Sequence, residues 1–305
     1  MSRSLDEGKA RLKKAVESGR LSHAILISAD STVACELVLY AASLIFDKAV
    51  DKVTELPDFL QIDAKGFKVE DSDALLSTLG ITPASGKRVI AFSNAGKMSA
   101  ICQNTLLKTI EEPPKDNHFF LYGSEKGLLP TIHSRCAHIT LGELSYGDIA
   151  EYVEKRGASH DDALYYAHIS GGSAEIAIRL FEDGEYLKFT ETCAEYFCRL
   201  KAACMVSDAL KDFAQYDALR CADVFELCLS DMRRLKIGLF AQSFTREPLS
   251  ENVKRCSQRL TEKEISDIAP LLCDVKIALN TNVPARQVLE NFAAKTEQVV
   301  NYGKI

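Results

Sequence analysis

The chain has 305 residues, of which 47% are hydrophobic and 26% are charged, and its formal net charge is −6. This length allows two or three domains with substantial cores, and the composition predicts an ordered globular protein. The acidic balance excludes a surface that is basic throughout, as a general DNA-coating protein would have. No apolar segment is long enough to cross a bilayer and the charged N-terminus does not resemble a signal peptide, so we expect a cytoplasmic protein without membrane contact.

The first 142 residues alternate between helical periodicity and short apolar runs. In chain order the pattern predicts helix 5–18, strand 24–28, helix 33–46, strand 59–62, helix 69–79, strand 88–92, helix 98–110, strand 118–122 and strand 137–141. Strands that are apolar throughout and alternate with helices indicate a parallel sheet covered on both faces. Function in such a sheet is expected at the carboxyl ends of the strands.

The strand signal stops after Gly142. Three short helices are predicted at 146–156, 161–169 and 173–181, and longer periodic segments follow at 213–240 and 261–279. We therefore predict an α/β fold followed by an all-α part. The predicted domains are an α/β domain over 1–142, a small helical domain over 143–183 and a helical domain over 184–305.

Ten cysteines raise the question of a metal site or of disulfides. None of them forms a Cys-x-x-Cys pair, the arrangement that zinc sites commonly use. Five fall in segments that look helical: Cys193, Cys198, Cys204, Cys221 and Cys228. We predict free, buried thiols in a reducing compartment and no metal.

The segment Thr131–Cys136 follows the apolar run Phe119–Tyr122. This order predicts a buried strand, then a short turn or helix, and then an arginine, Arg135, on an exposed rim. A planar, permanently charged guanidinium in that position can reach a phosphate held by a neighbouring subunit. The alternative is an internal salt bridge, which most arginines at helix ends form.

These segments resemble subunits of the bacterial replicative clamp loader, the AAA+ assembly that opens the sliding clamp and closes it around primed DNA. The resemblance covers nearly the whole chain and rests on four motifs in order: Leu21–Ala24, Pro57–Phe59, Asn104–Pro114 and Ser134–Cys136. It implies a RecA-like parallel sheet, a three-helix lid and a helical collar domain through which the subunits form a ring. The pattern is most similar to the delta-prime subunits, because of the residues that it lacks.

The loop after the first strand differs from that of the ATP-hydrolysing members of this family. Their glycine-rich P-loop holds phosphates with its amides and lysine, and its Ser or Thr binds magnesium. The corresponding residues here include no glycine: Ala29, Asp30, Ser31, Thr32, Val33, Ala34, Cys35 and Glu36. Cys35 stands at the lysine position and Glu36 at the magnesium-ligand position, so we predict no nucleotide cofactor.

Two further parts of an ATP site have lost their chemistry. Ser93–Gly96, after the third strand, has no carboxylate to hold magnesium, and Glu175 stands where the lid of the family carries an arginine. The resemblance then implies a non-ATPase that lends Arg135 in trans, with Ser134 and Cys136 shaping the motif. Such a finger is worth roughly 10³–10⁵ in rate in comparable systems. The four-cysteine zinc module of many delta-prime subunits is absent, because residues 47–56 contain no cysteine or histidine.

The remaining polar residues of these motifs carry weaker expectations. We predict a packing or surface role for His133 and His138, and a structural helix end for the pair Glu111–Glu112. Lys108 is either solvated or directed at DNA, and Ser124 is the candidate for the first sensor.

The sequence thus predicts an accessory subunit that is catalytically inert by itself. The expected partners are the gamma/tau motor subunits and the delta subunit, with the sliding clamp and primed DNA reached through the complex. Two alternatives stay open. One is an ATP-hydrolysing gamma/tau-type motor subunit, and the other is a stand-alone AAA+-like DNA-binding scaffold.

Overall fold

The computed structural model describes residues 3–183, 189, 192–193, 195–197, 218–239, 249–279 and 283–302. The chain divides into two compact units, Met1–Ile178 and Arg179–Ile305. The three-domain division stays a prediction. Some positions lie outside the described residues. They are parts of the predicted segment 213–240, parts of 279–284, and the cysteines Cys198 and Cys204.

The chain up to residue 183 alternates strands and helices as the sequence predicts. Its elements are α1 (Arg3–Glu17), β1 (Ala24–Ser28), α2 (Ser31–Phe46), β2 (Phe59–Asp63), α3 (Val69–Leu79), β3 (Arg88–Ser93), α4 (Ala100–Glu111), β4 (Asn117–Tyr122), α5 (Pro130–His133), β5 (Ala137–Thr140), α6 (Tyr146–Glu154), α7 (His160–Ile169) and α8 (Ala174–Glu182). Each predicted strand and helix is present with bounds that differ by at most about two residues, as is usual at element ends. Two short 3₁₀ helices were not predicted, Val50–Glu55 and Ala95–Lys97.

The five strands form one parallel sheet in the order β2-β3-β4-β1-β5. Successive residues of β1 face opposite sides, since side chains alternate along a strand. Ile25 and Ile27 join the core formed with α1 and α2, whereas Ala24 and Leu26 join the core formed with α3 and α4. A sheet with a core on each face confirms the predicted α/β fold and brings all carboxyl strand ends to one edge.

The second unit is helical throughout its described residues. Its longer helices are α9 (Ala218–Lys236), α10 (Leu249–Arg259), α11 (Glu262–Leu279) and α12 (Ala285–Tyr302). Buried aromatic rings pack at the centre, with Phe225 5.3 Å from Phe197 and 5.5 Å from Phe292 between ring centroids. This confirms the all-α part of the predicted fold class.

The cysteine prediction holds for most of the described thiols but not for all. Seven cysteines are free: Cys35, Cys102, Cys136, Cys193, Cys221, Cys228 and Cys273. Cys256 is disulfide-bonded, which contradicts the prediction of free thiols for this residue. Cysteine spacing does not predict this bond, because a disulfide forms only where two cysteine side chains meet in the fold. Among the described residues, no helix is both long and apolar enough to cross a membrane.

A buried ion pair fixes the amino-terminal edge of the sheet. Arg88 of β3 donates to Asp58 Oδ1 at 3.2 Å, and both side chains are about 95% buried (6% and 4% exposed). The same carboxylate accepts the Ser85 amide at 2.6 Å. Burial by itself raises the pKa of Asp58, but the hydrogen bonds from Ser85 and Arg88 outweigh it, so the pKa lies below its ordinary value.

Replacing Asp58 with alanine is expected to lower the free energy of unfolding by about 3–5 kcal/mol, because Arg88 would be left buried and unpaired. Glu55→Ala is the control, since its exposed pair with Lys52 should contribute less than about 1 kcal/mol. Because the folded-state pKa of Asp58 is lowered, its contribution is complete above the unfolded carboxyl pKa and declines as pH falls through the folded value. Urea denaturation of both variants from pH 7 to pH 3 measures this. Equal losses in the two variants would contradict it.

Candidate functional site

The connection between β1 and α2 is shorter than a phosphate-binding loop. Only Ala29 and Asp30 separate the end of β1 at Ser28 from the start of α2 at Ser31. The positions of the predicted degenerate loop, including Thr32, Ala34, Cys35 and Glu36, therefore belong to the first turns of a helix. A helix at this place leaves no loop that could wrap around a phosphate.

Two of the backbone amides at the start of α2 are already used. Asp30 is the residue that caps the helix, and its Oδ1 accepts the Thr32 amide at 3.0 Å. The Ala34 amide donates to the Asp30 carbonyl at 2.9 Å, and Val33 and Ala34 are buried. Free amides at a helix start attract anions, and here a side chain of the same chain takes that role.

The same carboxylate also reaches the start of α8. Asp30 Oδ2 accepts the Ser173 hydroxyl at 2.7 Å and lies 3.4 Å from the Glu175 amide. Ser173 Oγ in turn accepts the Ile176 amide at 3.3 Å. Glu175 meets this cluster with its backbone, while the residue itself is exposed. One anion thus satisfies donors at the starts of two helices.

Glu36 joins three helices. Its carboxylate accepts Lys9 of α1 at 2.6 Å and the Tyr152 hydroxyl of α6 at 2.9 Å. Burial raises the pKa of Glu36, but the hydrogen bonds from Lys9 and Tyr152 outweigh it and hold that pKa below the ordinary value. The position that binds magnesium in motor subunits is here an anion paired with a cation of the same chain.

Cys35 lies beside polar groups from two strands. Gln61 of β2 donates to Tyr122 Oη at 3.3 Å and its Nε2 is 3.8 Å from Cys35 Sγ. Burial raises the pKa of the Tyr122 phenol well above its ordinary value. Amide, phenol and thiol side chains have no cationic form, so nothing in the cluster replaces the positive charge of a P-loop lysine.

The loops after β3 and β4 pack backbone against backbone. The Gly96 amide donates to the Ser124 carbonyl at 3.0 Å. A Cβ atom on Gly96 would lie 2.2 Å from that carbonyl oxygen, and one on Gly127 would lie 2.3 Å from the Gly96 carbonyl oxygen. Asn94 donates to Asp63 Oδ1 at 2.9 Å, so Asp63, a carboxylate that the sequence analysis overlooked, is already engaged.

Arg135 follows the short helix α5. Ser134 Oγ donates to the Thr131 carbonyl at 3.1 Å, and Cys136 is buried beneath the turn, where burial raises the pKa of its thiol to about 11. The Arg135 side chain is 32% exposed, and its Nε lies 3.0 Å from Glu111 Oε2. Its Nη1 donates to the Thr131 carbonyl at 3.1 Å. The structure therefore contains an internal salt bridge at Arg135, and the guanidinium still meets solvent.

Gln103, which belongs to none of the predicted site residues, connects α4 to the segment that carries Arg135. Its Nε2 donates to the Met98 and Gly127 carbonyls, each at 2.9 Å, and its Oε1 accepts the Leu129 amide at 2.7 Å. Gln103 is 1% exposed. A polar side chain between apolar positions of a helix was the available signal, since such a residue needs buried partners.

The other predicted residues lie near Arg135 or on the surface of the first unit. His133 and His138 stack with ring centroids 5.2 Å apart, and His133 Nε2 lies 3.3 Å from Glu125 Oε2. Lys108 is exposed on α4, as is Ser124 after β4. No group of three or more His, Cys, Asp or Glu side chains suited to a metal ion occurs in the described part of the chain.

The order of the five parallel strands is that of an AAA+ domain. Residues 6–145 match the model of the family described as "DNA polymerase III, delta subunit". The match covers a little under half of the chain and agrees with the resemblance predicted from the motifs.

The relatives carry subunit names of the same polymerase. A gamma subunit of Buchnera aphidicola is 34% identical over 43% of this chain and 38% of its own length. The delta' subunit of Escherichia coli is 32% identical over 36% of this chain and 33% of its own, and that of Bacillus subtilis is 23% identical over 79% and 74%. The chain therefore spans well under half the length of the gamma and Escherichia coli relatives.

Two solved structures align with most of this chain at low sequence identity and with TM-scores below 0.5. A gamma subunit-related protein of DNA polymerase III from Thermotoga maritima has a TM-score of 0.49 and 17% identity, covering 95% of this chain and 99% of that one. The clamp loader delta protein of Bacillus subtilis has a TM-score of 0.36 and 13% identity, with 95% and 99% coverage.

Replacing Asp30 with alanine is expected to lower the free energy of unfolding of the first unit by about 1–2 kcal/mol, because α2 loses its cap. A cycle with Ser173→Ala should give a coupling energy of about 0.5–1.5 kcal/mol for the hydrogen bond between them. Asp51→Ala removes the same charge at an exposed site and is the control. Denaturant titration gives all values, and strict additivity of Asp30→Ala and Ser173→Ala would argue against the contact.

Proposed function

We propose that the chain is a non-ATPase, delta-prime-type subunit of the DNA polymerase III clamp loader that lends Arg135 to the ATP site of a neighbouring motor subunit. The assignment to a clamp-loader subunit of the delta'/gamma type rests on the family of residues 6–145 and on the named relatives. The observation that carries the non-ATPase part is the helical course of Ser31–Cys35 behind the Asp30 cap.

Charge and space both oppose a triphosphate at this edge. Binding would require the first turn of α2 to unwind and its amides to leave the Asp30 side chain and carbonyl. It would also bring a polyanion toward Asp30, whose like charge repels it, whereas Glu36 is already paired with Lys9. The motif positions that carry a lysine, a magnesium-binding hydroxyl and a lid arginine in motor subunits hold Cys35, Glu36 and Glu175 here.

Arg135 supports the second part of the proposal. It is held at the edge of the first unit on a short turn, and about a third of its side chain meets solvent. A guanidinium in that position can stabilise charge that develops on a phosphoryl group during transfer. Ser134 and Cys136 hold the turn, through a hydrogen bond to Thr131 and through burial.

The proposed function implies partners. The neighbours would be gamma/tau motor subunits and the delta subunit, and the sliding clamp and primed DNA would be reached through the complex. Exposed apolar side chains on the second unit, Ile237 (63% exposed) and Ile277 (67% exposed), support a contact surface within a collar. The proposed division of labour assigns nucleotide-site geometry to 1–142, the lid to 143–183 and assembly to 184–305.

A gamma-type motor is the second candidate, because relatives named gamma and tau are 34% and 37% identical to parts of this chain. The two candidates differ in nucleotide binding. We expect titration calorimetry with ATP and magnesium to detect no binding by the isolated chain. Millimolar or tighter affinity would favour the motor. A stand-alone scaffold is tested by co-purification with motor and delta subunits, which we expect to succeed.

Replacing Arg135 with alanine is expected to leave assembly intact and to reduce the DNA- and clamp-stimulated ATPase of the reconstituted complex by about 10²-fold or more at the site that it faces. Arg135→Lys should recover little, because an ammonium lacks the planar fork. Arg20→Ala is the matched control, since Arg20 is exposed and lies in the turn after α1.

The readout is steady-state turnover with primed DNA and clamp, after size-exclusion chromatography has verified the complex. Undiminished turnover with Arg135→Ala in an intact complex would remove the finger from the proposal. A loss of the complex itself would instead assign Arg135 to assembly.

A further inference from the structure

We propose that Glu111 is the positioning residue of Arg135: it holds the guanidinium by one edge and leaves the other edge for a phosphate of a neighbouring subunit. The inference rests on the proposed function and deepens it. Glu111 is the last residue of α4, so the arginine is oriented by an element other than the turn that carries it.

Arg135 has two polar contacts in the described part of the chain. Its buried Nε lies 3.0 Å from Glu111 Oε2 as an ion pair without a hydrogen bond, and its Nη1 donates to the Thr131 carbonyl at 3.1 Å. A guanidinium has five N–H donors in one plane. No hydrogen bond of Nη2 occurs among these residues, so Nη2 can donate to phosphate oxygens.

Glu111 contacts the guanidinium at Nε, and the Thr131 carbonyl accepts from Nη1. One ion pair and one hydrogen bond restrict the guanidinium before the neighbour arrives. Less rotational freedom is therefore lost at the moment of phosphate contact.

The pair contributes little to folding. The Arg135 and Glu111 side chains are 32% and 52% exposed, and exposed ion pairs have small effects on stability. α4 is also held by the buried Gln103, independently of Glu111. A substitution at Glu111 should therefore change the orientation of Arg135 while the fold and the course of α4 persist.

The chain supplies its own control. Glu112, the next residue, carries the same charge, is exposed, and lies just past the end of α4 with only its backbone amide bonded, to the Lys108 carbonyl. Glu111→Gln and Glu112→Gln thus remove one negative charge each from adjacent positions. Only the first removes the carboxylate that faces Arg135.

The experiment compares wild type, Glu111→Gln, Glu111→Ala, Glu112→Gln and Arg135→Ala in the reconstituted complex with motor and delta subunits, clamp and primed DNA. Turnover with Arg135→Ala defines the part that does not depend on the finger. We expect Glu111→Gln to lower the Arg135-dependent kcat about tenfold, with KM for ATP unchanged, as for a misoriented group. Glu112→Gln should match wild type, and all variants should melt within about 2 °C of it.

The double variant Glu111→Gln/Arg135→Ala is expected to turn over like Arg135→Ala alone, since a positioning residue has no effect without the group that it positions. A lower kcat for Glu111→Gln than for Glu112→Gln that disappears in the Arg135→Ala background supports the inference. Equal turnover of the two glutamine variants, or faster turnover with Glu111→Gln, overturns the inference about Glu111. If Arg135→Ala still lowers turnover in that case, the proposed function stands. No effect of Arg135→Ala overturns both.

Discussion

The edge of the sheet depends on the carboxylate of Asp30. A helix start exposes amide donors that need an acceptor, and in nucleotide-binding domains a bound phosphate can serve. Here Asp30 accepts from the first turn of α2 and from Ser173 at the start of α8. The chain thereby supplies internally the anion that would otherwise come from a ligand. The arrangement of β1, α2 and α8 is complete without any small molecule.

Glu36 extends the same principle one turn further along α2. Its contacts with Lys9 and Tyr152 join α1 and α6 to α2 by charge-assisted hydrogen bonds. Both carboxylates are thus compensated within the first unit. Arg135 differs, because its guanidinium is ion-paired with Glu111 and still about a third exposed to solvent. The first unit thus carries carboxylates bonded within the fold near β1, and a partly exposed cation after α5.

The elements of the first unit were predictable because each strand is a short, continuously apolar run between helical periods. The bounds of β1 and α3 agree with the prediction to the residue. The start of α2 does not, because the sequence places an unwound loop where the Asp30 cap allows a helix from Ser31. The lack of glycines indicated that a phosphate loop is missing. The helix start found there depends on the side chain of Asp30, whose partner Ser173 is 143 positions away.

The pairing of Arg135 with Glu111 was beyond the sequence for the same reason. Two residues 24 positions apart, one ending a helix and one on a turn, meet only because α4 and α5 pack on the same face of the sheet. The motif showed that both residues occur, and the internal salt bridge was the alternative weighed for Arg135. The spacing of residues in the sequence does not give the partner of Arg135 or the distance between the two side chains.

The two-residue link between β1 and α2 limits what a substitution at this edge can do. A lysine in place of Cys35 would stand in a helix whose start is capped by Asp30, with no loop beside it to surround a phosphate. A single substitution there changes the charge of the edge and leaves the course of its backbone in place.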